Sequence, residues 1–240
     1  MTSLTRVIVL VFAAALALVA VAEGYEVVPV PDGGSLRGKV VYPGPPPPPR
    51  KVVPTKDREV CGSGVREVPQ MLLGPDRGVQ DAIVYLRKVE KGKAWDRPPQ
   101  PPAIDNVKCD FRPHVQVVQP GDIEIVNSDP VLHNTHGFLD RLTVFNVALP
   151  NQGQRVRRLL KRPGLVRVEC DAHGWMLGWV YVADNPYYAL TGKDGSFTIT
   201  DVPPGSYTLV AWQAYTGPVE VPVTIKPKEV VSLTVELKKK

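Results

Sequence analysis

The sequence predicts an all-β protein built from β-sandwiches. Its 240 residues include 26 Pro and 20 Gly, which interrupt helices and mark frequent turns. The segments between these turns are short, rich in β-branched residues, and alternate apolar with polar positions as half-buried strands do. After the N-terminal segment, no stretch has the periodicity of an amphipathic helix. Short strands, many turns and an absence of helical periodicity together favour sandwiches.

The first 22 residues have the composition of an export signal. Arg6 precedes an apolar run of 16 residues that ends at Ala22, and residues 20–22 (Ala-Val-Ala) offer the small side chains of a cleavage site. This run is shorter than the ~20 residues that a membrane-spanning helix needs. We therefore expect residues 1–22 to be a signal peptide and the mature chain to be periplasmic or secreted. An uncleaved N-terminal membrane anchor is the alternative.

Alternating apolar segments predict the strands in order. They cover residues 36–42, 82–86, 114–118, 121–127, 165–170 and 177–182. The proline-rich segment 43–49 predicts a polyproline II spacer or a surface strap after the first strand. The last two strands enclose a short loop, residues 170–176 (Cys-Asp-Ala-His-Gly-Trp-Met), which carries three residues able to bind a metal ion.

These three residues are Cys170, His173 and Met176, and a fourth candidate, His133, lies upstream. Taken alone, a buried cysteine or methionine usually packs in a hydrophobic core. The chain has only four His and two Met after the initiator, however, and so few residues of these types would rarely show this spacing by chance. A thiolate, two imidazoles and a thioether are the ligands of a blue (type 1) copper site. The pattern therefore predicts one copper ion that cycles between Cu(II) and Cu(I).

The pairing of a His-Asn-x-His segment with a Cys-x2-His-x2-Met loop resembles the cupredoxins, and the amicyanin type in particular. The resemblance implies a Greek-key sandwich in which His133, Cys170, His173 and Met176 bind copper. It also implies that Asn134 ties its strand to the cysteine loop. Because four ligands already complete such a site, we expect His114 and His136 to lie outside it.

The chain has three cysteines, Cys61, Cys109 and Cys170. An exported protein tends to oxidise its exposed free thiols, so an odd cysteine needs an explanation. A disulfide between Cys61 and Cys109 leaves Cys170 as the thiolate that copper protects. Spacing alone does not exclude the alternative, a disulfide between Cys170 and one of the other two.

The chain changes in character after residue 184. Residues 191–199 carry an Asp-Gly turn before an alternating strand, and a Pro-Pro-Gly-x-Tyr segment follows at 203–207. These motifs resemble the carboxypeptidase regulatory-like, or transthyretin-like, small β-sandwich. We therefore expect a copper domain over residues 23–184 and a small sandwich over 185–240, with the strand near 36–42 as a candidate to complete it. The combination resembles periplasmic cupredoxin-like proteins, some of which are labelled methylamine-utilisation proteins.

The formal net charge is +5, and the basic residues are distributed unevenly along the chain. A run of basic residues precedes the strand that ends in Cys170: Arg155, Arg157, Arg158, Lys161 and Arg162. The run has no aromatic residue on which bases would stack, so nucleic-acid binding is not expected. It has two interpretations: a docking patch for an acidic redox partner, or a strand edge that charge protects from pairing.

The expected function is therefore a single-electron shuttle between redox proteins, such as a periplasmic dehydrogenase, a cytochrome or an oxidase. We do not expect an enzyme, because four His cannot build a multicopper cluster and no hydrolase or phosphate-binding motif is present. Two alternatives from other classes remain. One is a periplasmic copper carrier or buffer, and the other is a carbohydrate-binding or complex-binding sandwich module.

Overall fold

The computed structural model describes residues 24–96 and 98–239. The predicted signal peptide, residues 1–22, lies outside these residues. Within the described part, no helix has the length and apolar character needed to cross a membrane.

Strands account for most of the described chain. The N-terminal half contains β1 (Glu26–Val27), β2 (Gly34–Val41), β3 (Arg50–Val52), β4 (Arg66–Val68), β5 (Leu72–Leu73), β6 (Val79–Gln80), β7 (Ile83–Leu86), β8 (Lys91–Gly92), β9 (Ala103–Val107), β10 (Asp110–Arg112) and β11 (Val115–Val118). The C-terminal half contains β12 (Gly121–Asn127), β13 (His133–Leu139), β14 (Leu142–Leu149), β15 (Arg155–Leu160), β16 (Gly164–Cys170), β17 (Leu177–Val182), β18 (Tyr188–Leu190), β19 (Ser196–Val202), β20 (Gly205–Gln213), β21 (Gly217–Ile225) and β22 (Val230–Glu236). One α-helical turn, α1 (Arg58–Cys61), and a 3₁₀ turn (Pro75–Arg77) complete the described elements.

The first sandwich holds the residues that were singled out as ligands. A five-stranded sheet in the order β11-β17-β16-β13-β14 packs on a four-stranded sheet in the order β10-β9-β12-β15. Apolar side chains from both sheets, such as Ile123, Ile125 and Val180, alternate inward and form one buried core. The prediction of an all-β sandwich fold is confirmed.

The second sandwich combines strands from both ends of the chain. Its sheets have the orders β18-β7-β20-β21 and β19-β2-β22. Strand β2 pairs antiparallel with β19 and parallel with β22, and β7 lies between β18 and β20. Leu36, Val84 and Leu209 belong to its separate core. The division of the chain at residues 184 and 185 stays a prediction, as does the resemblance of this sandwich to the transthyretin-like fold.

Aromatic side chains join the two sandwiches. Tyr85 of β7 stacks on Tyr181 of β17 with 4.4 Å between the ring centroids. Trp179 of β17 meets Trp212 of β20 edge to face at 5.0 Å. Offset and edge-to-face arrangements are the favourable ones for aromatic pairs. The contacts therefore hold β17, which follows the predicted ligand loop, against the second sandwich.

A substitution in β2 tests the second core. Leu36 is fully buried between β19 and β22, whereas its neighbour Arg37 is exposed. Leu36→Ala removes buried methyl groups and should lower the free energy of unfolding by about 2–5 kcal/mol. Urea denaturation measures this loss, and Arg37→Ala should change stability by less than about 0.5 kcal/mol. Equal effects of the two substitutions would contradict the assignment of Leu36 to this core.

Candidate metal centre

Two neighbouring strands bring the predicted ligands to one end of the first sandwich. Strand β13 begins at His133, and the antiparallel strand β16 ends at Cys170, with Thr135 opposite Cys170 in the register. Alternate residues of a strand face the same side, and His133 shares its side of β13 with the buried residues Thr135 and Leu139. Its side chain therefore points into the sandwich. His133 has 0% relative exposure and Cys170 has 2%, so both side chains are shielded from water.

The loop after Cys170 folds into two consecutive turns. The backbone N–H of His173 donates to the carbonyl of Cys170 at 3.2 Å, and that of Met176 donates to the carbonyl of His173 at 3.0 Å. These turns carry the His173 ring back toward the Cys170 sulfur. His173 and Met176 have 0% and 2% exposure, and Met176 packs in the core that contains Cys170.

Three donor atoms converge in this buried space. The Nδ1 atoms of His133 and His173 lie 3.1 Å apart. The Sγ atom of Cys170 lies 3.8 Å from Nδ1 of His133 and 3.7 Å from Nδ1 of His173. Bonds to a zinc-sized ion are about 2.0–2.1 Å from nitrogen and about 2.3 Å from sulfur. One ion can therefore bind two nitrogen atoms that lie less than about 4.2 Å apart, or a nitrogen and a sulfur atom that lie less than about 4.4 Å apart. All three separations fall below these limits, so the residues fit a metal ion.

A carboxylate holds the outer nitrogen of each imidazole. Nε2 of His133 lies 2.8 Å from Oδ2 of Asp129, and Nε2 of His173 lies 2.8 Å from Oδ2 of Asp57. A carboxylate accepts a hydrogen bond, so Nε2 carries the proton and Nδ1 is left free to face the centre. Asp129 is itself fixed by the backbone N–H groups of Lys108 and Cys109, at 2.6 Å and 2.9 Å.

The sequence analysis missed both carboxylates. Asp129 stands four residues before His133, and its place in a Ser-Asp-Pro turn was the only signal that the sequence offered. Asp57 is separated from His173 by 116 positions, and no local pattern connects them. Only the folded chain brings Asp57 to the site.

Asn134 links β13 to the cysteine loop through its main chain. Its backbone N–H donates to Sγ of Cys170 at 3.4 Å, and its carbonyl accepts from the backbone N–H of Asp171 at 3.3 Å. The side-chain amide instead donates to Oδ1 of Asn146 on β14, at 2.7 Å. The residue therefore supports the sulfur directly while its side chain fastens the neighbouring strand.

The other two histidines belong to different environments. His136 contacts Asp171 at 3.2 Å and Thr143 at 2.8 Å, and its ring lies against Phe138. Burial is the largest influence on His114, and it lowers the pKa of this imidazole. Among the described residues, neither histidine belongs to a cluster of three groups that can hold a metal ion.

The structure contains a disulfide between Cys61 and Cys109, and Cys170 is a buried free thiol. The disulfide lies beside the centre, because its two sulfur atoms and a ring nitrogen of His173 are all within 4.8 Å of one another. The short helix α1, which ends at Cys61, is thereby fastened next to the imidazole of His173.

The environment of Cys170 favours its thiolate. Burial alone raises the pKa of this thiol, but the contacts of the sulfur with the imidazoles of His133 and His173 and with the backbone N–H of Asn134 outweigh it and lower the pKa from 9.0 to about 6. For His173, burial lowers the pKa, whereas hydrogen bonds to Cys170 and Asp57 raise it, and the net direction is upward. A thiolate is the form of cysteine that binds metals.

Comparisons with known proteins find no match among protein-family models and none among curated protein sequences. Solved structures give partial matches. A copper-containing nitrite reductase from Thermus scotoductus is 24% identical, with 38% of this chain and 24% of that chain covered and a TM-score of 0.32. A purple cupredoxin from Nitrosopumilus maritimus is 22% identical (34% and 99% covered, TM-score 0.31), and amicyanin from Paracoccus versutus is 20% identical (43% and 100%, TM-score 0.32). The chain thus spans about a quarter of the nitrite reductase.

The ionisation of Cys170 can be measured in metal-free protein. The ultraviolet absorbance of its thiolate should titrate with a pKa of about 6, well below the usual value for cysteine. His173→Ala removes one of the imidazole contacts that favour the thiolate and should shift the titration to higher pH, while Cys170→Ser should abolish it. A titration that stays in the usual range for the unsubstituted protein would contradict the described environment.

Proposed function

We propose that this protein is an exported blue copper protein that carries single electrons between redox partners. The observation that carries the proposal is the convergence of the Nδ1 atoms of His133 and His173 with Sγ of Cys170 in a buried space. Met176 is buried in the same core and would supply the thioether that completes the ligand set. The combination of soft sulfur with imidazole suits copper, whereas structural zinc sites use cysteine, histidine or carboxylate rather than methionine.

Copper bound there supplies one-electron chemistry between Cu(II) and Cu(I). The protein's own contribution is to hold the donors still. Asp57 and Asp129 fix the imidazoles, and the backbone N–H of Asn134 supports the sulfur of Cys170. Because these contacts hold the donors in place without the ion, the site needs little rearrangement when the oxidation state changes.

The clustering of ligands supports a carrier of electrons over an enzyme. Among the described residues, three clusters of possible metal-binding groups overlap at this one centre. Two of them include disulfide-bonded cysteines, which offer no thiolate, so His133, Cys170 and His173 are the set that can hold a metal. A multicopper oxidase needs further histidines for a second cluster, and His114 and His136 are placed elsewhere. The proposal therefore contains one copper ion and no catalytic residue.

The partner remains the broad class of redox proteins that the sequence predicted. The basic run supports a docking patch only in part. Strand β15 lies at the edge of its sheet, and Arg155 and Arg157 both pair with Glu124, at 3.0 Å and 3.1 Å. Charge on an unpaired edge discourages strand addition by another chain. These contacts favour edge protection as the role of those two arginines.

Substitution of the ligands tests the proposal. Cys170→Ser should abolish the intense visible colour of the Cu(II) protein, because an alcohol oxygen cannot replace the soft sulfur donor. His133→Ala and His173→Ala should each weaken copper binding and change the spectrum. Met176→Leu removes only a weak axial donor, so colour should persist while the reduction potential rises. Visible spectra, copper analysis and voltammetry report these outcomes.

His136→Ala and His114→Ala are the matched controls and should leave the spectrum nearly unchanged. Loss of all copper in Met176→Leu, or bleaching by His136→Ala but not by His133→Ala, would show that the ligand assignment is wrong. Retention of copper through repeated oxidation and reduction supports the electron shuttle. Release of the metal on reduction would instead favour a copper carrier.

A further inference from the structure

Asp57 is the outermost member of a series of contacts that runs from Cys170 through His173 to the protein surface. The His173 side chain is fully buried, whereas the Asp57 side chain is 37% exposed and bonds the outer nitrogen of that ring at 2.8 Å. Asp57 therefore stands between the imidazole and solvent. The equivalent contact of His133 is made by Asp129, whose side chain is almost completely buried.

Local backbone structure fixes the position of Asp57. The residue precedes α1 and has a left-handed conformation, with φ of 48°, which aspartate tolerates better than most residues. Its carbonyl accepts hydrogen bonds from the backbone N–H groups of Val60 and Cys61, at 3.0 Å and 2.8 Å. The carboxylate is thus held at one end of a tight turn whose other end is Cys61.

The Cys61–Cys109 disulfide connects this turn to the support of the second imidazole. Cys61 ends the turn that presents Asp57, and the backbone N–H of Cys109 donates to Asp129. One covalent cross-link therefore joins the turn that presents Asp57 to the residue whose backbone N–H holds Asp129, the carboxylate that contacts His133. Without it, the turn at 57–61 would be held near the site only by noncovalent contacts.

We propose that Asp57 is a positioning residue for the metal centre and that the Cys61–Cys109 disulfide holds it in place. The carboxylate keeps the proton of His173 on Nε2 and so directs Nδ1 at the metal. Its negative charge favours the more highly charged Cu(II) over Cu(I), which lowers the reduction potential. The effect on copper rests on the proposed function, whereas the effect on the imidazole does not.

Two substitutions of Asp57 separate the hydrogen bond from the charge. In Asp57→Asn, the amide oxygen can still accept the hydrogen bond while the charge is lost. In Asp57→Ala, both are lost. Asp122→Asn is the matched control, since it removes an exposed carboxylate on β12 that makes no contact with the centre.

The first measurement uses metal-free protein. Nuclear magnetic resonance should detect the Nε2–H of His173 as slowly exchanging with solvent, and Asp57→Ala should accelerate its exchange by about tenfold or more. Asp57→Asn should retain most of the protection. Exchange in Asp57→Ala that matches the Asp122→Asn control would overturn the positioning role whether or not the protein binds copper.

The second measurement uses copper-loaded protein. Loss of a group that orients a metal-binding histidine typically weakens metal affinity by about 10–100-fold, which is the expectation for Cu(II) in Asp57→Ala. Asp57→Asn should raise the reduction potential by about 59 mV for each tenfold by which Cu(II) is weakened more than Cu(I). A potential equal to that of the control would overturn the electrostatic role of Asp57 while leaving the copper function standing.

The disulfide is tested by the double substitution Cys61→Ser and Cys109→Ser. Release of the turn should accelerate exchange of the His173 Nε2–H and raise the potential, as the Asp57 substitutions do, while Cys170 keeps the visible colour. Unchanged exchange and potential in the folded double variant would overturn the role of the disulfide. If the double variant does not fold, mild reduction of the disulfide in the intact metal-free protein should accelerate exchange of the His173 Nε2–H, and unchanged exchange there would overturn the role of the disulfide.

Discussion

The imidazoles of His133 and His173 and the thiol of Cys170 lie close together in the interior of the first sandwich. The structure around them depends on which groups their polar atoms contact. A buried polar group without a partner destabilises the fold, and an imidazole has two nitrogen atoms to satisfy. For His133 and His173, carboxylates bind the outer nitrogens, so the inner nitrogens point at each other and at Cys170. The strand register, the two turns of the loop and the disulfide all maintain this arrangement. The candidate metal centre is therefore the position at which the inner donor atoms converge on a shared point.

The sequence predicted those parts of the fold that depend on local pattern. The strand over residues 121–127 was predicted with the bounds that the structure gives, and 165–170 and 177–182 were predicted to within one residue at either end. Alternation works here because one face of each strand is buried in a core. Strand β2 was recognised as a strand, but its parallel pairing with β22 joins segments almost 200 residues apart. Such pairing depends on tertiary packing and leaves no mark in a local window.

The same distinction applies to the site. Cys170, His173 and Met176 are close in sequence, and the chemistry of their donor atoms made them recognisable before the fold was known. Asp57 has no such signal, because an aspartate before a short helix is common and its partner is distant in the chain. Asp129 lies near His133 in the sequence, but nothing in the local pattern marks its carboxylate as a partner of the imidazole. The candidate ligands could thus be recognised from local sequence, whereas the carboxylates that contact the imidazoles could not, since those contacts exist only in the folded structure.

Burial of the imidazoles also bears on the choice between an electron shuttle and a copper carrier. A carrier must release its ion, which requires at least one ligand to move away from the metal. Outward movement of His173 would break its hydrogen bond to Asp57, and the disulfide ties the turn that presents Asp57 to Cys109, whose backbone N–H holds Asp129. Electron transfer makes no such demand, because the donor atoms keep their places when only the charge of the ion changes. If the proposed function holds, the covalent fastening of a partly exposed carboxylate over the buried His173 ring suits retention of the metal rather than its release.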